Sequence, residues 1–194
     1  MMDKDARVTI RRRGRYVQLV TADEVDASAL VDVMARSAST PVMGYTAGSA
    51  PAIGSPPGSA AVVACESHAC VGLAAASWVW DADDVAEVVL FMDRTRSRAG
   101  AGPEAIYLFC DELFGGGVQR VLMRVLAIND PVLSLMRNVG KAPDAYLREQ
   151  HFIGGCFVGE HVFSWSALEW AQMLDSRPRW LYLRNQAATA AALV

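Results

Sequence analysis

The sequence predicts an α/β sandwich with a mixed sheet, and three features carry that expectation. Extended candidates follow one another at residues 60–65, 70–80 and 85–92, apolar and bounded by polar turns as buried strands are. A glycine-bearing turn, Ser97-Arg98-Ala99-Gly100-Ala101-Gly102, then opens a segment with helical spacing. Beyond it an alternating stretch, a proline-capped helix and a hairpin around Gly154-Gly155 complete the pattern.

Taken in order, residues 7–20 (RVTIRRRGRYVQLV) read as two short extended pieces around Arg-Arg-Arg-Gly. Arg7, Arg11, Arg12, Arg13 and Arg15 suit either a charged edge strand, which resists unwanted pairing, or a phosphate-binding patch. Thr21 and Glu24 have capping-box spacing, and Val25, Ala29, Leu30, Val33 and Met34 recur at helical intervals, which predicts a helix over 22–36. Residues 38–60 hold four of the eight prolines and many small residues, the composition of a long loop. Such loops carry function or mobility. Cys65, His68 and Cys70 suit either a metal or a tight hairpin connection; no second ligand cluster accompanies them, so no metal is expected.

From residue 102 the period changes. Pro103 suits a first helical turn and Glu104 its positive end, while Ile106, Phe109, Cys110 and Leu113 form an apolar stripe that Gly115-Gly116-Gly117 stops. Residues 119–126 alternate, with Val121, Met123 and Val125 on one face. Asp130-Pro131 caps a second helix carrying Val132, Leu135, Met136 and Val139. Residues 145–153 and 157–166 form the hairpin, and a short helix over 167–174 precedes a tail, 176–194.

Composition narrows the function classes. With 194 residues, 53% of them hydrophobic and 20% charged, the chain suits one domain over 1–194 and excludes intrinsic disorder. Folding should bury about 70% of its surface, enough for one self-sufficient core. A net charge of −3 argues against nucleic acid as a partner. The apolar run 70–80 is about half the length of a membrane span, so no membrane is expected. The charged start MMDKDARV lacks an apolar signal core, and four cysteines are too sparse for a disulfide scaffold. A cytoplasmic location with reduced thiols is the expectation.

The glycine turn is the informative segment. Closely spaced glycines let backbone N–H groups approach an anion, and a helix start adds about half a positive charge, so a diphosphate fits there. Glycine also marks any tight strand-to-helix turn. No G-x-G-x-x-G and no Walker lysine is present. Four segments resemble the GCN5-related N-acetyltransferases (the GNAT superfamily), and within it the branch that acetylates ribosomal-protein N-termini. AEVVLFMDRTRSRAGAGPEAIYLF looks like that family's strand, acyl-CoA loop and helix; GVQRVLMRVLAINDPVLSLMRNVG looks like its next strand, asparagine-bearing turn and helix. LREQHFIGG resembles the branch's closing hairpin, and FSWSALEW its usual end.

The resemblance implies a mixed, mostly antiparallel central sheet flanked by helices, and acetyl-CoA or another acyl-CoA as co-substrate. It implies that backbone amides from Ser97, Arg98, Ala99, Gly100, Ala101 and Gly102 cradle the diphosphate. The thioester carbonyl would meet backbone at Leu90, Phe91 and Met92, and Asn129 either holds the coenzyme arm or is a turn residue before Asp130. The sequence departs from the family at four places. Ser97 replaces Gln or Arg; Met136 replaces the tyrosine thought to protonate the thiolate; Lys141 replaces a phenylalanine; Gly159 replaces an aspartate, with Glu160 beside it.

Acetyl transfer needs an unprotonated amine. At pH 7 an α-amine of ordinary pKa is about 14% free base and a lysine about 0.04%, a difference of about 3.5 kcal/mol. The expected function is therefore acetyl-CoA-dependent N-acetylation, an acyltransferase reaction by direct attack of a primary amine on the thioester. The acceptor would be a protein N-terminus, another peptide amine, or a small-molecule or antibiotic amine. The alternative is a protein of the same fold without acetyl transfer, binding a metabolite or partner or doing other chemistry. Glu87 is either the general base or a solvated strand end; Ser134 is either the proton donor or an exposed helix serine. His151, Glu160 and His161 line the acceptor cleft or are exposed strand residues, and Trp78, Trp80 and Trp165 are core or cleft wall. The tail either covers the core or mediates self-association as a homodimer.

Overall fold

A computed structural model of the chain describes residues 12–22, 25–38, 57–80 and 84–175. Residues 39–56 of the loop expected over 38–60, the tail 176–194, Arg7, Arg11 and Glu24 lie outside the described residues. Among the described residues, eight strands form one sheet in the order β1-β2-β3-β4-β5-β6-β8-β7. They are β1 (Arg12–Arg13), β2 (Val17–Thr21), β3 (Pro57–Ala64), β4 (Cys70–Trp80), β5 (Val85–Met92), β6 (Arg120–Leu126), β7 (Ala145–Ile153) and β8 (Cys156–Ser166). The described helices are α1 (Ala27–Ala38), α2 (Ala101–Gly115), α3 (Asp130–Asn138) and α4 (Ala167–Asp175). Every pairing is antiparallel except β5 with β6, which α2 joins as the crossover that a parallel pair requires. The mixed, mostly antiparallel sheet is thus present.

The sheet divides two apolar layers. On one face Phe109 and Leu113 of α2, Leu133 and Met136 of α3 and Trp170 of α4 pack on Val62, Val88, Val121 and Phe163. On the other, Leu30 and Val33 of α1 cover Ala61, Leu73, Ala75, Val89 and Phe91. Burying each large side chain contributes about 1.5–3 kcal/mol. Among the described residues no helix is long and apolar enough to cross a membrane.

Some boundaries differ from those read in the sequence, for local reasons. Helix α1 starts at Ala27, capped by Asp26, whose Oδ1 accepts the Ser28 N–H at 2.8 Å; Thr21 instead ends β2. Strand β3 starts at Pro57, because Pro57, Gly58 and Ser59 pair with Ser77, Ala76 and Ala75. His68 sits in the β3–β4 turn with φ +55°, its N–H on Ala64 O at 2.9 Å, so the hairpin explains its place. Arg12 is committed to α2, ion-paired with Asp111 at 3.4 Å and Glu112 at 2.5 Å, as a charged edge strand allows.

Two carboxylates tie distant segments together. Glu104, in the first turn of α2 and 8% exposed, accepts the N–H groups of Arg15, Tyr16 and Val17 at 2.7, 2.7 and 2.9 Å. At the other end, Ser166 and Glu169 form a reciprocal capping box on α4: Glu169 Oε2 accepts the Ser166 N–H at 2.8 Å, and Ser166 Oγ accepts the Glu169 N–H at 3.2 Å. The Ser166 backbone donor holds the Glu169 carboxyl below its usual range. Trp170 then packs with Tyr107, Phe114 and Trp165, ring centroids 5.5, 5.4 and 6.3 Å away.

Candidate active site

The site begins where the parallel ladder fails. Strands β5 and β6 pair at Val85↔Arg120, Ala86↔Val121 and Glu87↔Leu122 and then part. Each remains paired on its outer side, β5 with β4 as far as Met92 and β6 with β8 as far as Leu126. Their facing edges therefore carry backbone N–H and C=O groups that no strand satisfies, and such groups need partners. A cleft of about 580 Å³ opens between them. Leu90, Met92, Ile106, Met123, Val132 and Met136 give it an apolar wall, and the glycine turn closes one end.

The turn is held by Asp93, which is 1% exposed. Its carboxylate accepts the Thr95 N–H at 3.0 Å, the Thr95 hydroxyl at 2.6 Å and Arg36 Nε at 2.6 Å, while its carbonyl accepts the Arg96 and Ser97 N–H groups. Burial pushes the Asp93 carboxyl up, but the Thr95 and Arg36 donors outweigh it and hold the pKa below the usual carboxylate value. Stability from such a group is present above the unfolded pKa, about 4, and is lost as pH falls through the lower folded value. Asp93→Asn should cost about 1–2 kcal/mol at pH 7. That gap should shrink as pH falls below about 4, which denaturant titrations at several pH values will measure.

Gly100 caps α2 in left-handed backbone, φ +91° and ψ −15°, a conformation that costs other residues about 1–2 kcal/mol. This leaves the turn's amides unequally available. The Ser97 N–H is bonded to Asp93 O at 2.9 Å and the Ala101 N–H to Arg98 O at 3.0 Å. Among the described residues the N–H groups of Arg98, Ala99 and Gly100 meet no acceptor, and Gly102 lies in the first helical turn, where N–H groups have none. Arg94 and Arg98 line the same end of the cleft, and Arg98 also pairs with Glu66 across the β3–β4 turn.

Of the residues singled out in the sequence, Leu90, Phe91, Met92, Ser97, Arg98, Ala99, Gly100, Gly102 and Asn129 all line this cleft. Ala101 is 1% exposed and does not, and the Asn129 side chain makes no capping bond to α3. Glu87, Ser134, His151, Glu160 and His161 are not among the lining residues. Glu87 instead faces Arg124 Nε at 3.3 Å, and Ser134 Oγ accepts Arg137 Nη2 at 2.8 Å. Gly159 has no room for a side chain, since a Cβ there would collide with the Tyr146 hydroxyl. Trp165 is core and Trp78 packs partly buried against it. Sequence reasoning missed Asp93, Arg94 and Arg124. The Asp93-x-Thr95 spacing of an Asx turn marks the first, and the polar face of the β6 alternation marks the last.

No protein-family model matches the chain, and no curated protein sequence does. Solved structures do. A GCN5-related N-acetyltransferase from Brucella melitensis superposes with TM-score 0.67 over 89% of this chain and 86% of its own, at 20% identity. A GNAT-family acetyltransferase from Bacillus anthracis gives TM-score 0.65 over 82% and 100%, at 13% identity. The ribosomal-protein-S5-alanine acetyltransferase from Vibrio fischeri gives TM-score 0.65 over 83% and 98%, at 14% identity. The chain has the GNAT fold. Within that fold the parted strands β5 and β6 and the turn before α2 are the features that shape the cleft.

Proposed function

We propose that the protein is an acetyl-CoA-dependent N-acetyltransferase acting on a primary amine of a small molecule or peptide. One observation carries the reading. Unsatisfied amides of a glycine turn at a helix start lie at one end of an apolar cleft whose walls are unpaired strand edges. The residues fit acetyl-CoA in chemistry. Amides at Arg98, Ala99, Gly100 and Gly102 and the side chains of Arg94 and Arg98 suit a diphosphate; Leu90, Met92, Met123 and Met136 suit the methylene arm; open backbone groups on β5 and β6 suit its amides.

In the reaction the acceptor nitrogen attacks the thioester carbonyl carbon. The C–N bond forms, the C–S bond breaks, the amine loses a proton and the thiolate gains one. Met136 lines the cleft but its thioether carries no proton to donate. A thiol of pKa about 8.5 leaves readily enough for water to supply it. Backbone N–H groups on the open edge of β5 would polarise the carbonyl. Acceptors with weakly basic amines, α-amines above all, require the least help, because about a seventh of them are free base at pH 7.

Met136 and the Glu87–Arg124 pair also suit a second reading, a GNAT-fold protein that binds a metabolite without transfer. A thiol-release assay with acetyl-CoA and a panel of α-amino peptides, aminoglycosides and simple amines separates the two. Amine-dependent thiol release supports transfer. Desulfo-CoA binding with no release from any amine supports the second reading.

A further inference from the structure

Four polar side chains, three of them charged, form a continuous chain across β5, β6, β8 and β7. Glu87 of β5 meets Arg124 Nε at 3.3 Å; Arg124 Nη1 meets Glu160 Oε1 at 2.9 Å; Glu160 Oε2 meets His151 Nε2 at 2.8 Å. Glu87 belongs to the last β5–β6 ladder pair and Arg124 lies two residues beyond its partner, so their ion pair spans the apex where the strands part. Arg124 also lines the cleft. Glu160 is 4% exposed, a buried carboxylate that a surface tie alone does not need.

The backbone is bent to deliver His151 to this chain. Between Leu147 and His151 the β7–β8 register slips by two residues, and Glu149 takes φ +56°, a left-handed conformation costly for a side-chain-bearing residue. The slip sets His151 opposite Val158, within reach of Glu160. With Nε2 bonded to a buried carboxylate, the ring is fixed in the tautomer that leaves Nδ1 as the acceptor, the arrangement of a base held by an orienting acid.

Resting on the transferase reading, we propose that His151 takes up the proton that the acceptor amine must lose, and that Glu160 is the positioning residue that holds both His151 and Arg124. The ammonium proton passes to His151 Nδ1, directly or through one water, and the nitrogen lone pair it leaves forms the new C–N bond. His151 then returns the proton to solvent. Glu87 is tied to Arg124 and is not the base. The charged groups facing His151 are Glu160 from β8 and, through it, Arg124 from β6 and Glu87 from β5.

The test uses the full chain with the best amine found. His151→Ala should lower kcat about 100-fold and leave desulfo-CoA binding within about twofold. Added imidazole should restore at least a tenth of the lost rate. Glu160→Gln should lower kcat similarly and not be rescued by imidazole. A His151→Ala rate within twofold of wild type, or a loss that imidazole does not reverse, overturns the proposal while amine-dependent wild-type turnover keeps the transferase reading. Wild-type protein that binds desulfo-CoA but acetylates nothing overturns both.

Discussion

Gly102→Trp should abolish acyl-CoA binding without unfolding the protein. A Cβ at this position would stand 3.8 Å from Met92 Cγ and 4.0 Å from Leu90 Cδ2, ordinary contact with the cleft wall, so the backbone tolerates a side chain. The indole would then occupy the space beside the free amides. Calorimetry with desulfo-CoA should show a dissociation constant beyond about 1 mM, weaker than about −4 kcal/mol. Gly102→Ala should retain binding, and helix propensity should make it neutral or slightly stabilising. Gly100→Trp is a poorer probe, because its φ of +91° and a Tyr16 ring atom 3.2 Å from the new Cβ add strain. Retained binding in Gly102→Trp would mean that the turn is only a turn.

Glu104→Ala should cost about 3–5 kcal/mol of stability. The substitution strands three N–H groups, those of Arg15 and Tyr16 just before β2 and that of Val17 at its start, where Val17 is 1% exposed and water has little access. A carboxylate that accepts three backbone donors outweighs an ordinary surface pair, and Glu104→Gln, keeping one acceptor oxygen, should lose roughly half as much. Gly14 belongs to the same device, since a Cβ there would collide with the Glu104 carboxyl. Urea denaturation measures both. A loss under about 1 kcal/mol for Glu104→Ala would mean that water replaces the carboxylate.

The glycine turn and the apolar stripe of α2 were legible because each depends on residues close in sequence; the capping box at Ser166 and Glu169, equally local, was not read. Glu104 shows the limit. Its acidity at a helix start pointed to the helix dipole, yet its partners lie 87 to 89 residues away and no local pattern names them. The same holds for Glu87, which the family resemblance offered as a base and whose ion pair with Arg124 no local pattern names. His151 was legible as a strand residue with a possible place at the acceptor cleft, but its bond to Glu160 was not, because a register slip of two residues sets its neighbours. The Thr21 cap failed for a simpler reason: β3 claims Thr21 through Ala60, and Asp26 caps α1 in its place.

A crystal structure of the full chain with desulfo-CoA tests the central claim most directly. The coenzyme's diphosphate should lie within about 3 Å of the Ala99 and Gly100 amides, with its arm running between β5 and β6 toward Glu87. Diphosphate density in the neighbouring 210 Å³ cavity between Tyr16 and Arg96, or an arm lying outside the parted strands, would contradict it.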